Sequence, residues 1–179
     1  ICATHVHSGP ALADVLPFMF SQDLPAEQQE RIVRYTERLR TTLIELAGQA
    51  LAARRPARLA WSEGRADFAA QRRVLADGRW KGFGVTPGGA LPVLRVVDEA
   101  GQIRAVFASY ACHCTTIDGG DNFVHHDWAG DAARRVEAAH DGAVALVALG
   151  CGADANPNPR GATHVSRHGE QVAREVERL

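Results

Sequence analysis

Residues 91–112 read LPVLRVVDEAGQIRAVFASYAC. Two runs rich in Val, Leu, Ile and Phe, 91–98 and 103–112, flank the short stretch Glu99-Ala100-Gly101-Gln102. Branched and aromatic side chains suit a pleated, half-buried surface, and a glycine-containing connection of this length folds one strand back on the other. The stretch reads as a β-hairpin whose second strand runs out at His113.

Upstream of the hairpin, residues 57–63 read as a strand. Residues 64–90 carry Gly, Asp, Arg and Trp without a clear period and read as one long loop, a feature that is uncommon inside compact domains and often functional. A long helix begins at Pro25, where a missing N–H costs nothing, with Glu27 and Glu30 at its positive end. Ile32, Tyr35, Leu39, Leu43, Leu46 and Ala50 recur at steps of three and four and predict one buried stripe. Arg54-Arg55-Pro56 closes the helix, because proline cannot continue it. Residues 8–24 read as a loop opened by Ser8-Gly9-Pro10 and interrupted by Pro17, and residues 1–6 as the end of a strand.

Downstream, Trp128, Ala132, Val136 and Ala139 mark a helix that Asp127 is placed to cap. The apolar run 143–149 predicts a strand buried on both faces. A loop over 151–162 follows, then a helix from about Thr163, with Val172 and Val176 inward. The order predicts an α/β fold of mixed α+β layers: a central mixed β-sheet with a β-hairpin, flanked by helices. At 179 residues the chain is expected to be a single domain over 1–179. It lacks an initiator Met and begins inside a predicted strand, so it is expected to be an interior fragment of a longer protein.

Composition narrows the function. Twenty basic against 21 acidic residues leave a net charge of −1, which provides no electrostatic footprint for nucleic acid and no polybasic membrane patch. Four cysteines are too few for a disulfide scaffold at this length. Cys112 and Cys114 form C-x-C rather than the C-x2-C of structural zinc sites, and the cysteines read first as small buried hydrophobes.

The reactive side chains gather at predicted strand ends. His5 and His7 follow the first strand, His113 follows the hairpin, His125-His126-Asp127 precede a helix, and Asp154 and Asn156 follow the apolar run. Ligand sites form where strands end and loops begin. A catalytic zinc takes about three protein ligands and keeps one position open for water. His5 and His113 suit two of them. His7 can ligate as well, or stand beside the metal as a proton shuttle. Against this stands the plainer reading of His5 and His7 as polar residues at a strand end, and of Asp154-Ala-Asn-Pro-Asn-Pro159 as turn chemistry. A Cys151 nucleophile flanked by Gly150 and Gly152 needs an activating base such as His113 and lacks the nucleophile-elbow pattern.

These residues resemble a known family. His5-Val-His-Ser-Gly-Pro10 is similar to the H-x-H-S-G-P signature of the neutral/alkaline non-lysosomal ceramidases. Gln71-Arg72-Arg73 resembles that family's short Asn-Arg motif, and Ala111-Cys-His-Cys-Thr-Thr116 the stretch with its second zinc histidine. His126-Asp127-Trp-Ala-Gly130 resembles its Asp-x-x-Gly segment, and Cys151-Gly-Ala-Asp-Ala-Asn-Pro157 stands where it has Gly-Asp-Val-Ser-Pro-Asn. The resemblance implies a zinc amidase that hydrolyses ceramide to sphingosine and a fatty acid, or acts on a related lipid or acylated amide. It implies His5 and His113 as Zn2+ ligands, His7 for substrate or protons, and Arg72 in the active site. The family's further Glu and Tyr ligands lie beyond this sequence, so the fragment alone is expected to have little activity. Contact with a membrane surface and a secreted or periplasmic location are further implications. Asn156 occupies the place of the family's serine, which rules out a serine nucleophile but leaves a metal-activated water. Two alternatives stay open: a ceramidase-like binding domain without catalysis, and a thiol hydrolase using Cys151.

Overall fold

The computed structural model describes residues 2–15, 24–85, 88–117, 119–121 and 123–179, the Trp80 side chain excepted. The predicted interruption at Pro17 lies outside them. The chain forms two compact units, 10–56 and 1–9 with 57–179.

The first unit is built on helix α1, Ala26–Ala52. The carbonyl of Pro25 accepts N–H groups from Gln28 and Gln29, and Arg54 Nε donates to the Leu51 carbonyl at the far end. Glu27–Arg31, Glu30–Arg34 and Glu37–Arg40 pair along its surface, consistent with the interleaved charges. The predicted buried stripe does not form. Ile32, Tyr35 and Leu39 are half-buried, whereas Leu43 and Leu46 are exposed. An amphipathic stripe is buried only where a second element covers it, and the described residues of this unit contain no other helix or strand.

The second unit contains β1 Arg58–Arg65, β2 Ala69–Gln71, β3 Val74–Ala76, β4 Arg79–Gly82, β5 Ala90–Val97, β6 Ile103–Tyr110, α2 Asp127–Ala139, β7 Val144–Leu149, β8 Ala155–Pro157, a 3-10 turn Ala162–His164 and α3 Val165–Arg178. A four-stranded mixed sheet runs β1-β5-β6-β7. β1, β5 and β6 are antiparallel, and β7 lies parallel to β6 after the α2 crossover. The hairpin forms as predicted. Asp98 Oδ1 accepts N–H groups from Ala100 and Gln102, and Gly101 supplies the positive φ of 83° that the turn requires.

Helices α2 and α3 pack together on one face of the sheet. Trp128, Ala132 and Val136 of α2 and Val172 and Val176 of α3 bury against Leu91, Val93, Val106, Ala108 and Ala145. The opposite face is open. Trp61, Leu94, Phe107 and Leu146 lie on one rung across the four strands, and three of them, Trp61, Phe107 and Leu146, are exposed. The expectation that 143–149 is buried on both faces is therefore corrected. Ala145 faces the helices while Val144 and Leu146 face outward, because both helices lie on the same side.

Two further expectations change. The described residues 2–6 do not form a strand: among them only Val6 bridges, to Cys114, and His5 adopts a φ of 53° that breaks an extended run. Residues 64–90 are not one loop. β2 pairs with the distant β8, and β3 with β4 across a two-residue Asp77-Gly78 turn. Both turn residues have positive φ, 54° and 70°, as a hairpin of this length demands.

Candidate metal centre

The carboxyl ends of the parallel pair β6 and β7 hold the site together. The Gly150 N–H donates to the carbonyl of Tyr110, so the segments leaving both strands start side by side. His113 is on the first and Gly152 on the second. His113 is buried, and its Nδ1 lies 2.7 Å from the carbonyl oxygen of Gly152 and 3.0 Å from that of Ala155. Both partners only accept, so Nδ1 carries the proton and Nε2 keeps its lone pair. The His113 N–H donates to Ala155 as well, and its carbonyl accepts the indole N–H of buried Trp128 at 2.9 Å. The ring is held through Nδ1, and the backbone of His113 through both its N–H and its carbonyl.

His5 and His7 reach the same point from the N-terminal arm. Val6 bridges to Cys114, and the His7 N–H donates to the Cys114 carbonyl at 3.3 Å, which sets the arm beside the residue that follows His113. Ring centroids are separated by 4.8 Å for His5–His7, 4.7 Å for His5–His113 and 5.6 Å for His7–His113. One nitrogen from each ring lies within 4.8 Å of the other two. Burial pushes the His113 imidazole toward its neutral form, and the charge of Arg72 adds to that. For His7, desolvation by its neighbours acts first, then His5, His113, Arg72 and Arg160, all in the same direction. Neutral imidazoles with a fixed proton on the far nitrogen are what a metal ion binds. Three imidazoles suit Zn2+ among biological divalent ions, so these residues fit the ion.

Arg72 and Asn156 flank the cluster. The Arg72 N–H donates to the Asp154 carbonyl and its Nε to Ala153 at 3.0 Å, while its charge reaches both His7 and His113. Asn156 pairs with Ala70 across β8 and β2, one residue beyond the Ala155 carbonyl that fixes His113. Its Oδ1 is buried without a hydrogen-bond partner among the described residues. Cys151 is exposed, and among the described residues no hydrogen bond joins it to a histidine. That arrangement does not supply the base a thiol nucleophile needs.

Sequence reasoning missed Arg160. Its Nε donates to the Thr115 carbonyl at 2.8 Å, and its charge acts on His7. Nothing in its Pro-Arg-Gly setting marks it, since proximity arises only when the loop after β8 folds back. It also missed the clasp between Ser8 and His125. The His125 N–H donates to the Ser8 carbonyl and the Ser8 hydroxyl to the His125 carbonyl, each at 3.0 Å. Asp127 does begin α2, but through an unexpected geometry: with φ 52°, its carboxylate accepts N–H groups from Trp128 and Ile117.

No protein-family model matches the sequence, and no curated protein matches it. Among the solved structures that share its fold are two ceramidases. One is a ceramidase complexed with C2, with TM-score 0.62 and 18% identity over 74% of this chain. The other is the neutral ceramidase from Pseudomonas aeruginosa, with TM-score 0.60 and 19% identity over 74% of this chain. The chain spans 23% and 24% of the length of those two structures. At such identity the likeness is one of fold: the chain has a ceramidase-like fold.

Proposed function

We propose that this chain carries part of the site of a zinc-dependent amidohydrolase, which cleaves an N-acyl amide bond in ceramide or a related acylated small molecule. The observation that carries the reading is the meeting of His5, His7 and His113, from two distant segments, at one point on a ceramidase-like fold. His5 and His113 would hold the ion. A bound Zn2+ supplies an acidified water near neutral pH and polarisation of an acyl carbonyl.

The rest falls to the chain's own side chains. His113 arrives with its tautomer and orientation already set by Gly152 and Ala155, so binding costs little reorganisation. Arg72 brings a fixed positive charge beside the cluster, which suits an oxygen that gains negative charge during acyl transfer. Asn156 offers an amide whose Oδ1 has no hydrogen-bond partner among the described residues, complementary to the N–H of an amide substrate. Exposed apolar side chains lie close in sequence to the site residues. Leu75, Phe83 and Val85 follow Arg72 in the chain, and Phe123 and Val124 precede the His125 that clasps Ser8. They suit an acyl chain and contact with a lipid surface.

The test is hydrolysis of a fluorescent short-chain ceramide by the full-length protein, before and after chelation and with zinc restored. Turnover that is lost on chelation and recovered with zinc is expected. Activity indifferent to the chelator but abolished by Cys151→Ala would overturn the reading in favour of a thiol enzyme. Stoichiometric zinc without turnover of any acyl amide would favour the binding domain.

A further inference from the structure

We infer that Thr115 is a further substrate-contacting residue: its hydroxyl and the Asn156 side-chain amide, both neighbours of His113, hold the acyl oxygen and the N–H of a secondary amide, and so tell an amide from the corresponding ester. The inference rests on the amidohydrolase reading above and adds to it how the scissile group is recognised.

Orphaned atoms come first. Among the described residues three buried side-chain oxygens lack a hydrogen-bond partner: Thr115 Oγ1, Thr116 Oγ1 and Asn156 Oδ1. Buried polar atoms are nearly always paired, because an unpaired one loses its water and gains nothing in return. All three belong to segments that run side by side: the His113 N–H donates to the Ala155 carbonyl and the Gly161 N–H to the Thr116 carbonyl.

Pleating sorts them. Val6 and Cys114 form a parallel bridge, so in that register His5 stands beside His113 and His7 beside Thr115. The 4.7 Å between the His5 and His113 ring centroids fits that register. Side chains alternate along an extended segment, so Thr115 shares the face of His113, while Cys112, Cys114 and Thr116 turn to the core. Asn156 joins the Thr115 face from the other side. The His113 N–H takes the carbonyl just before Asn156, and buried Ala155 and Pro157 flank half-buried Asn156.

The spacing suits one amide group. Two residues along an extended segment and one segment across separate the Thr115 and Asn156 Cα atoms by roughly 8 Å. A trans amide points its C=O and N–H in opposite directions, so it fits between a donor and an acceptor placed that way. The Thr115 hydroxyl supplies the donor and Asn156 Oδ1 the acceptor. Arg160 Nε fixes the Thr115 backbone through its carbonyl at 2.8 Å. Rotation of exposed His7, the neighbour of Thr115 in that register, opens the way to the hydroxyl. An ester offers the same acyl oxygen but no N–H, and leaves Oδ1 unpaired again.

The test is calorimetric titration of the zinc-depleted full-length protein with a short-chain ceramide and with the matched ester, in which oxygen replaces the amide N–H. The unaltered protein should bind the amide at least about 10-fold more tightly. Asn156→Ala should erase that preference by weakening amide binding alone. Thr115→Val should weaken both ligands about 10-fold, because both keep the acyl oxygen. Thr115→Ser keeps the hydroxyl and should bind both like the unaltered protein. Circular dichroism checks the fold of each variant, and Thr115→Ala replaces Thr115→Val if valine disturbs it. Equal binding of amide and ester by the unaltered protein, binding of neither, or undiminished binding of both by Thr115→Val overturns the inference. Zinc-dependent turnover of the same ceramide is read separately. Turnover without the binding pattern sinks the inference alone, and the binding pattern without turnover sinks the hydrolase reading alone.

Discussion

The Nδ1 of His113 and the carbonyl oxygen of Gly152 lie 2.7 Å apart, across the gap between the segments leaving β6 and β7. This contact exists because Gly152 has no side chain. A Cβ there would come within 2.6 Å of the Cys112 backbone nitrogen and 2.8 Å of the Ala111 carbonyl carbon. Gly152→Ala must therefore push the loop away and take the carbonyl with it. It should weaken zinc binding about 10–100-fold, as losses of an outer hydrogen-bonding partner do, and lower stability by about 1–3 kcal/mol. Metal titration and urea unfolding of the metal-free chain check the two effects.

Trp128 supports His113 from the other side. It is fully buried, packs against Phe68 and Tyr110 at centroid distances of 5.3 Å and 5.7 Å, and donates its indole N–H to the His113 carbonyl. Trp128→Phe keeps most of the ring contact but leaves that carbonyl only the weak Cys112 thiol donor at 3.6 Å, at a cost of about 1–3 kcal/mol. Trp128→Ala should cost about 3–5 kcal/mol. Denaturant midpoints order the two variants.

Asn156 separates stability from function. Its Oδ1 is already buried and has no partner among the described residues, so Asn156→Ala removes an unsatisfied acceptor and should change stability by less than about 1 kcal/mol in either direction. If its amide meets the substrate, the same change should lower turnover of the full-length protein about 100-fold with zinc content intact. Loss of zinc together with activity would assign Asn156 to the metal rather than the substrate.

His168 should make the unit acid-sensitive. It is 2% exposed, stacks on Phe68 at 4.3 Å and hydrogen-bonds the Pro159 carbonyl through Nε2. Burial, first, and the nearby His164 and Arg167 lower its pKa against the opposing effects of that hydrogen bond and of Asp127. The unfolded chain therefore binds the proton more readily than the folded one. Stability contributed by neutral His168 is complete above the ordinary histidine value of 6.5 and is lost as pH falls below it toward the lower folded value. His168→Gln removes the titration, so the variant's stability should fall more gently below that pH, by up to about 1.4 kcal/mol per pH unit. Urea unfolding of both proteins across pH 4–8 (about) reads the difference, from which the other histidines cancel.

Local pattern made a good part of this fold legible. The hairpin of β5 and β6, the strand at β7 and helices α2 and α3 follow from runs and periods within a dozen or so residues. The hairpin around Asp77-Gly78 reads in the sequence as part of one long loop, because strands of three and four residues carry too little period to announce themselves. The pairing of β2 with β8 was not legible, since it joins Ala70 to Asn156 and short-range pattern says nothing about partners so far apart. Burial misled at α1 and β7 for one reason: an apolar pattern states what can be covered, and only neighbouring elements decide what is.

By itself the sequence determined which groups are available: three histidines and an asparagine near the ends of ordinary structural segments, and an arginine in a stretch that reads as a loop. The tertiary structure alone decided that they meet. Long-range pairing of Val6 with Cys114 brings His5 and His7 to His113, and the parallel alignment of β6 and β7 brings Gly152 to its Nδ1. Ligand chemistry is a property of residues, whereas a shared coordination point depends on contacts between segments more than a hundred residues apart, which no local pattern encodes.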